Sequence, residues 1–374
     1  MGLAVRTHGL ARGELDCRTC LCSVRAQSLQ GLGAAAALAG THGRRAGGPA
    51  HSRRMRRRCL RIHQRKDSIM KVVVFGSTGL LGRAIVKELA ARGHRVLRAG
   101  RRDAELPVDF RFDLDAANLR TVVRGADVVV NAVGILIERD GNTWDVVHRR
   151  AAQALAAACA AERVARIVHV SALGAGTGIA GEYMASKLAA EQAYESGPVD
   201  FAIVRPGLLV DPACPSTRLF RWLARQPVIA LPGVFHPGES RVQPIQATDV
   251  AQCVARIAEH PKALRRVIEL AGPRAMTYRE MLASYRTAQN KGAPLWMPVP
   301  WWLMKLTARL ARIVPQKVFS IDTMRMLQAG SVPQAGNEVR RWLGRDPLPL
   351  LPAGEPAPDA GLLASADVPP LANT

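Results

Sequence analysis

The sequence predicts an α/β fold with a doubly wound parallel sheet and a smaller C-terminal lobe. Three observations support this prediction. From residue 70, short apolar segments alternate with segments of helical periodicity, which is typical of a parallel sheet covered on both faces. The first apolar segment runs directly into a glycine-rich turn that opens a helix. The alternation is lost after Pro206, where the lobe is expected to begin.

The pattern defines the elements in order. The predicted strands are residues 72–75, 94–99, 108–114, 127–133, 166–171 and 201–205, and the predicted helices between them are residues 80–91, 116–124, 143–162 and 183–195. Later helices are expected near residues 217–225, 278–289, 301–313 and 321–328, with a last strand at 266–270. Thr248 and Asp249 are expected to cap a helix that ends at Glu259.

These elements predict a sheet domain over residues 70–205 and 246–272, and a lobe over residues 206–245 and 273–350. Residues 351–374 are a predicted disordered tail. Residues 1–69 contain no Phe, Trp or Tyr, so they bury too little apolar area to offset their ordering entropy, and we expect disorder there. Three interpretations of this segment remain open: sequence upstream of a true start at Met70, a basic arm, or an organelle transit peptide. The excess of Arg over Lys favours the first, in a bacterial, cytoplasmic protein.

The net charge of +22 does not predict a nucleic-acid partner. Residues 1–69 hold 14 Lys and Arg against 3 Asp and Glu, about half of the excess, and the rest is scattered over helices as a solvated surface. No apolar run is long enough for a transmembrane segment. No metal site is expected, because Cys17, Cys20 and Cys22 resemble half of a zinc site that no second cluster completes.

The glycines at the first strand–helix junction predict a dinucleotide site. Gly76, Gly79 and Gly82 form G-x-x-G-x-x-G, which allows a tight turn, close approach of backbone amides to a pyrophosphate, and close packing of helix on strand. The anion then lies at the positive end of the helix. We therefore expect an NAD(P)-binding Rossmann domain. The other residues of this turn predicted to contact the cofactor are Ser77, Thr78, Leu80 and Leu81.

The end of the second predicted strand indicates NADP(H) rather than NAD(H). An NAD-preferring domain usually places an acidic residue there for the ribose 2′-hydroxyl, whereas this chain offers Arg101 and Arg102, which suit a 2′-phosphate. Solvated loop arginines are the alternative interpretation. Asp113, at the end of the third predicted strand, either accepts from the adenine amino group or caps the next helix, and Leu114 is placed beside it at the cofactor.

A candidate catalytic pair lies on the helix predicted at residues 183–195. Tyr183 and Lys187 are four residues apart and so share one helix face. A lysine ammonium near the phenol would lower the tyrosine pKa and make it a useful acid–base catalyst. Ser171 ends the fifth strand, where its hydroxyl is expected to hold a substrate carbonyl or alcohol. An exposed Tyr/Lys pair without a chemical role is the alternative.

Several motifs resemble the short-chain dehydrogenase/reductase superfamily, in its extended and atypical branch, which includes the NAD-dependent epimerases/dehydratases. They are "GSTGLLG", "NAVG" at 131–134, "HVSALGA" at 169–175, "YMASK" at 183–187 and "VRPG" at 204–207. The segments "ESRVQPIQATDVA" at 239–251 and "LAGPRAMTYREML" at 270–282 are most similar to the subset related to the Rossmann-type accessory subunit of respiratory complex I. The resemblance covers residues 70–345.

The resemblance implies roles for the matching positions. Tyr183 is implied as the general acid/base, Lys187 as the residue that binds the nicotinamide ribose and tunes Tyr183, and Ser171 as the residue that orients substrate. Asp249 is implied as a helix cap. The remaining residues implied at the cofactor or at the start of the lobe are Asn131, Ala132, Gly134 and Pro206.

Two functions follow as hypotheses. The first is an NADP(H)-dependent oxidoreductase or epimerase-like enzyme that acts on a carbonyl or alcohol of a small, lipophilic molecule. The second is a non-catalytic NAD(P)(H)-binding protein of a respiratory complex, since members of that subset often have degraded catalytic residues. The aromatic segment at residues 294–315 is interpreted as an interfacial helix or substrate lid at a membrane periphery, or as a lobe helix packed on the core.

Overall fold

The computed structural model describes residues 69–179, 181–232, 240–300 and 321–351. Its strands are β1 (Lys71–Phe75), β2 (Arg95–Gly100), β3 (Leu106–Pro107), β4 (Val128–Asn131), β5 (Arg166–Val170), β6 (Asp200–Pro206), β7 (Leu209–Val210), β8 (Val228–Pro232), β9 (Arg241–Val242), β10 (Ile245–Gln246), β11 (Arg266–Leu270), β12 (Met276–Thr277) and β13 (Leu295–Val299). Seven of them form a parallel sheet in the order β11–β6–β5–β4–β1–β2–β3.

The described helices cover both faces of this sheet. They are α1 (Leu80–Ala91), α2 (Ala116–Val123), α3 (a π-helical turn Asp145–Arg150 continued by Ala151–Ala161), α4 (Glu182–Glu195), α5 (Pro215–Leu223), α6 (Ala247–Glu259), α7 (Tyr278–Ala288), α8 (Ile321–Ala329) and α9 (Val339–Leu343). The order of the central strands and the helices on two faces confirm the predicted doubly wound α/β class.

Alternate residues of the central strands serve the two faces. In β1, Val72 and Val74 pack with α1 and α6, whereas Val73 and Phe75 pack with α2, α3 and α4. All four side chains are fully or almost fully buried. A strand covered on both faces gains free energy from an apolar side chain at every position, which is why β1 reads as an unbroken apolar run. The two cores fix the strand ends that carry the candidate site.

The prediction of the third strand is wrong. The strand expected at residues 108–114 is absent, and β3 is limited to Leu106–Pro107. The Asp113 carboxylate accepts the backbone N–H of Asp109 at 2.7 Å, and Asp109 accepts that of Arg111 at 3.0 Å. Aspartate side chains thus bind the amides that a strand would have used, and the chain turns instead.

The predicted caps of α6 are also wrong. The helix begins at Ala247 with Gln246 at the N-cap, so Thr248 and Asp249 lie within its first turn. Asp249 is fully buried and accepts from the Arg345 guanidinium at 2.6 Å and from the backbone N–H of Leu348 at 2.7 Å. Its carboxylate therefore holds the C-terminal segment against α6.

A smaller apolar cluster forms outside the sheet. It is built from α5, α7 and the short strands, with Ile229, Met281 and Tyr285 at its centre and Trp296 packed against it. Within the described ranges, no helix has the length and apolar character needed to cross a bilayer. The predictions for residues 1–68, for the helix at 301–313 and for the tail at 352–374 lie outside the described residues.

Candidate functional site

The turn between β1 and α1 requires glycine at two positions. Gly76 has φ +75°, and a Cβ there would lie 2.9 Å from the Ala132 carbonyl group. A Cβ on Gly82 would lie 2.0 Å from the Gly76 carbonyl oxygen, closer than any real contact. The glycines therefore let three backbone segments, the turn, the loop after β4 and the start of α1, approach one another.

The first turn of α1 offers backbone donors to an anion. Gly79 stands at the N-cap and supplies no side-chain acceptor, and the first turn contains no acidic residue. Helix N-termini leave amide donors unpaired inside the helix, and the helix dipole adds positive potential there. The amides that follow Gly79, including those of Leu80 and Leu81, are thus suited to a pyrophosphate. On these observations the turn fits a dinucleotide cofactor.

The side chains of this turn divide into inward and outward ones. Ser77 is buried, and its hydroxyl donates to the Ala99 carbonyl at 3.3 Å, so in this structure it braces β2 rather than facing the cleft. Thr78 is exposed. Arg83, which the sequence analysis did not single out, donates to the Thr78 carbonyl at 2.5 Å. An exposed guanidinium therefore lies beside the glycine turn.

Two arginines are available at the end of β2. Arg101 and Arg102 are both exposed, and Arg101 makes a long hydrogen bond of 3.4 Å to the Asn142 side chain. Arg98, three residues earlier on β2, instead forms an ion pair with Glu105 at 3.1 Å. The positive charge at this edge is therefore carried by the two residues that the sequence selected.

Asp113 and Leu114 follow β3 at the same edge. The Asp113 carboxylate is engaged by the backbone N–H of Asp109 at 2.7 Å. The helix-cap alternative for Asp113 is wrong, because Asp115 is the N-cap of α2 and accepts from the Ala117 amide at 2.9 Å. Leu114 is partly buried against the core on the α2 face. A contact of either residue with adenine stays a prediction.

The loop after β4 borders both the glycine turn and α4. Asn131 is buried and donates to the Tyr194 hydroxyl at 2.8 Å, while its side-chain oxygen accepts from the Val133 amide at 3.1 Å. Its side chain thus shapes the loop rather than projecting from it. A Cβ on Gly134 would lie 3.1 Å from the Lys187 ammonium nitrogen. The loop is therefore in van der Waals contact with the candidate lysine.

Helix α4 buries Lys187 beneath the loops at the ends of β4 and β5. The Lys187 side chain is 4% exposed, and its Nζ donates to the Val170 carbonyl at 3.3 Å. Tyr183, one turn earlier, is half-buried and packs edge-on against Trp144 and His148, with ring centroids 6.3 and 5.8 Å apart. Lys187 thus lies at the ends of the adjacent strands β4 and β5, and Tyr183 packs against the start of α3.

Burial dominates the protonation of this pair. Burial raises the pKa of Tyr183 to about 12. It lowers the pKa of Lys187 to about 8, against which the nearby Glu191 carboxylate acts. The expected lowering of the tyrosine pKa by the ammonium group is therefore not seen, because loss of solvation outweighs it. At neutral pH the phenol holds its proton and can donate it.

A histidine on the π-helical turn of α3 braces the same helix. The Ser186 hydroxyl donates to the Tyr183 carbonyl at 2.7 Å, so it accepts from Nδ1 of His148 at 2.8 Å. Nε2 of His148 then accepts from the Ile135 amide at 3.2 Å. This network fixes the neutral Nδ1–H tautomer, and burial lowers the pKa of His148 to about 2. His148 joins the β4 loop to α4.

Ser171 is tied to a buried ion pair. Its hydroxyl donates to Oε1 of Glu191 at 2.5 Å. The Arg205 guanidinium donates two hydrogen bonds to the same carboxylate, from Nε at 2.9 Å and from Nη2 at 2.5 Å. Its Nη1 lies 3.9 Å from the Glu269 carboxylate. Pro206, next to Arg205, accepts from the Leu173 amide at 3.0 Å, which anchors the loop after β5. The ends of β5, β6 and β11 are thus joined through α4.

A cavity of about 230 Å³ lies beside the loop after β5. Its lining includes Leu173 and Ile179 of that loop, Glu269 of β11, and Gly330 and Val332 of the segment after α8. The cavity adjoins the Ser171 loop and has both apolar and charged walls, so it can receive part of a small molecule with a polar end.

Comparison with known proteins identifies the domain that holds these residues. Residues 76–261 match the family model described as NAD(P)H-binding. This part of the chain is similar to NAD(P)H-binding domains. The matched range begins at the first glycine of the β1 turn and includes the candidate residues of β2, β4, β5 and α4.

Curated relatives extend the likeness to oxidoreductase proteins. The chain is 26% identical over 68% of its length to the Arabidopsis thaliana NADH dehydrogenase [ubiquinone] 1 alpha subcomplex subunit 9, mitochondrial. It is 25% identical over 76% of its length to the Rattus norvegicus protein of the same name. It is 31% identical over 51% of its length to the ceramide reductase of Caulobacter vibrioides. The matches span 66%, 79% and 61% of those proteins, so two of them are matched over less than two thirds of their length.

Solved structures share the fold. The chain superimposes over 75% of its length on a Staphylococcus aureus nucleoside-diphosphate-sugar epimerase, with TM-score 0.61 at 18% identity over 98% of that chain. An Escherichia coli NADPH-dependent quinone oxidoreductase complexed with NADPH gives TM-score 0.60 at 14% identity, over 75% of this chain and 96% of that one. The predicted likeness to complex I accessory subunits and to the epimerase/dehydratase fold is confirmed.

The sequence analysis missed three residues of this neighbourhood. Arg83 directly follows the third glycine, a position that could have been read as a phosphate contact. Glu191 lies four residues after Lys187, and therefore on the same helix face. His148 carries no local signal, because its role depends on partners 13 and 38 residues away.

Proposed function

We propose that this protein is an NADPH-dependent reductase that converts a carbonyl group of a lipophilic small molecule to an alcohol. The observation that carries the proposal is the burial of Lys187 against the Val170 carbonyl and Gly134, with Tyr183 one helical turn away. Burying a cation is costly, and buried titratable groups beside a cleft are concentrated at functional sites. The 31% identity to a ceramide reductase supports a lipophilic substrate.

The residues present fit the cofactor. The glycine turn and the first amides of α1 would hold the pyrophosphate, and Arg83, Arg101 and Arg102 would hold the 2′-phosphate. The β4 loop and Lys187 would contact the nicotinamide ribose. When bound, the reduced nicotinamide supplies a hydride, with two electrons, to the substrate carbonyl carbon.

Tyr183 would supply the proton that completes the reduction. Its raised pKa keeps the phenol protonated at neutral pH, which suits a general acid. As the carbonyl oxygen gains negative charge, Tyr183 transfers its proton to that oxygen, and the Lys187 ammonium group stabilises the resulting phenolate. The balanced reaction consumes one carbonyl group, one hydride and one proton and forms one alcohol.

The test compares Tyr183→Phe with a matched variant, Tyr278→Phe, whose ring packs on Phe220 in the small cluster. We expect Tyr183→Phe to lower NADPH oxidation by about 10²-fold or more and to keep NADPH binding, measured by cofactor fluorescence. Tyr278→Phe should retain both. Equal turnover of the two variants with an aryl and alkyl ketone panel would contradict the proposed role.

The second candidate is a non-catalytic NADPH-binding subunit of a respiratory complex. Two observations favour it: several relatives are named as NADH dehydrogenase subunits, and the Ser171 proton is engaged by Glu191. This candidate predicts that wild-type protein binds NADPH, oxidises it with no carbonyl or quinone in the panel, and co-purifies with a membrane complex.

A further inference from the structure

The Ser171 hydroxyl has a single proton, which it donates in a hydrogen bond to the Glu191 carboxylate. A serine hydroxyl offers one donor and two acceptor sites, whereas an ionised carboxylate only accepts. Both Glu191 oxygens accept from the Arg205 guanidinium, the fork geometry of an ionised carboxylate. The bond of 2.5 Å between Ser171 and Glu191 therefore runs from the hydroxyl to the carboxylate.

Burial keeps this arrangement in place. The Glu191 side chain is 1% exposed and Ser171 is 5% exposed. If Ser171 turned its proton elsewhere, the buried Glu191 carboxylate would lose a hydrogen bond, which is costly. Arg205 already binds Oε1 through its Nε, the same oxygen that accepts from Ser171, and its Nη1 lies 3.9 Å from Glu269.

We propose that Glu191 is a positioning residue that sets Ser171 as an acceptor toward the substrate, so that the preferred substrate carries a hydroxyl or N–H donor next to the reacting carbonyl. The inference rests on the proposed reductase function. It changes the expected role of Ser171. A carbonyl oxygen has no proton to donate, so an accepting Ser171 cannot bind it, and Tyr183 is the residue that donates to the carbonyl oxygen.

The position of Glu191 on α4 supports this role. It lies one helical turn after Lys187, and its charge favours the lysine ammonium form against the effect of burial. The other titratable groups that act on Lys187 or near it are His148 on α3 and His169 on β5. One buried carboxylate thus acts on both the serine and the lysine.

The test uses three probes that differ only beside the carbonyl: α-hydroxyacetophenone, α-methoxyacetophenone and acetophenone. A donating Ser171 would bind the hydroxy and methoxy ketones alike, since both offer an acceptor oxygen. An accepting Ser171 distinguishes them, because only the hydroxyl can donate. Affinities are measured by ligand-observed NMR on the full chain saturated with NADP⁺, and turnover by NADPH oxidation.

We expect wild-type protein to bind the hydroxy ketone about three- to tenfold more tightly than the methoxy ketone, the effect of one neutral hydrogen bond. Ser171→Ala should reduce this ratio to about one. Glu191→Gln, which frees the proton of Ser171, should reduce it at least about threefold. Glu195→Gln, the same change at an exposed site on the same helix, should keep the wild-type ratio.

Three results would overturn the inference: a wild-type ratio near one, no saturable binding of either ketone, or an unchanged ratio in Glu191→Gln. If Glu191→Gln does not fold, Glu191→Asp keeps the charge but withdraws it from Ser171 and should lower the ratio in the same way. A preserved ratio without NADPH oxidation would refute the reductase function and leave the serine polarity standing. Equal turnover of all three ketones would support the reductase function and refute the proposed role of Ser171 as an acceptor.

Discussion

Replacement of Lys187 by methionine should stabilise the protein at neutral pH. Methionine keeps the unbranched shape of the side chain and removes the charge. Burial lowers the lysine pKa from 10.5 to about 8, and this change corresponds to about 3 kcal/mol of unfavourable free energy in the folded state when the lysine is charged. The lost hydrogen bond to the Val170 carbonyl offsets about 1 kcal/mol. The net expectation is about 2 kcal/mol in favour of Lys187→Met near neutral pH.

The sign of this difference should depend on pH. Between about pH 8 and 10.5 the unfolded chain still binds the lysine proton, whereas the folded chain has released it. The unfolded state then holds more protons, so the wild-type free energy of unfolding rises through this window relative to that of the methionine variant. Above the window the penalty is gone, and the wild type should be the more stable by the lost hydrogen bond.

Urea unfolding of the two proteins at a series of pH values measures the difference directly. Both chains share every other titrating group, and the neighbouring His148, whose pKa is lowered to about 2, stays neutral between pH 8 and 10.5, so in this window the subtraction reports on Lys187. Lys87→Met, at an exposed position on α1, is the matched control and should leave the free energy of unfolding unchanged at each pH. A methionine variant that is less stable near neutral pH, or a difference that does not vary with pH, would refute the burial argument.

Two further predictions concern the cofactor. Gly82→Ala should lower NADPH affinity by more than about tenfold in a calorimetric titration, because its Cβ would lie 2.0 Å from the Gly76 carbonyl oxygen and open the phosphate turn. Gly292→Ala, at a position with open space around it, is the control and should bind NADPH as the wild type does. The double variant Arg101→Ala/Arg102→Ala should lose about tenfold in NADPH affinity and keep its NADH affinity. Arg95→Ala, exposed at the other end of β2, should change neither, and an equal loss for both cofactors in the double variant would contradict 2′-phosphate recognition.

The parts of the fold that sequence predicts best are those governed by local chemistry. The boundaries of α1, Leu80–Ala91, and of β11, Arg266–Leu270, coincide with the prediction, because a glycine turn and a bounded apolar run mark them. The prediction of the third strand is wrong because the Asp109 and Asp113 side chains bind backbone amides that a strand would use, and strand periodicity does not indicate such hydrogen bonds. The pairing of β8 with β13 joins segments more than sixty residues apart, and neither segment alone indicates its partner.

The candidate site also has features that the sequence could predict and features that it could not. The glycine turn, the arginines after β2 and the Tyr183–Lys187 pair could be selected from sequence, since each depends on spacing within one element. The protonation of that pair could not be inferred, because it depends on how deeply α4 is buried. The expectation that the ammonium group lowers the tyrosine pKa considered one neighbour and omitted solvation, which is the larger effect here.

One face of α4 links these observations into a single arrangement. Tyr183, Lys187 and Glu191 lie at successive turns, so their chemistry is ordered along the helix from proton donor to cation to carboxylate. The carboxylate is neutralised by Arg205 from β6 and holds Ser171 after β5. A substitution that moves α4 by a fraction of an ångström would therefore disturb the serine, the lysine and the tyrosine together. For this reason the shape-conserving change of Glu to Gln, compared between positions 191 and 195, separates chemistry from packing better than any truncation of the helix face.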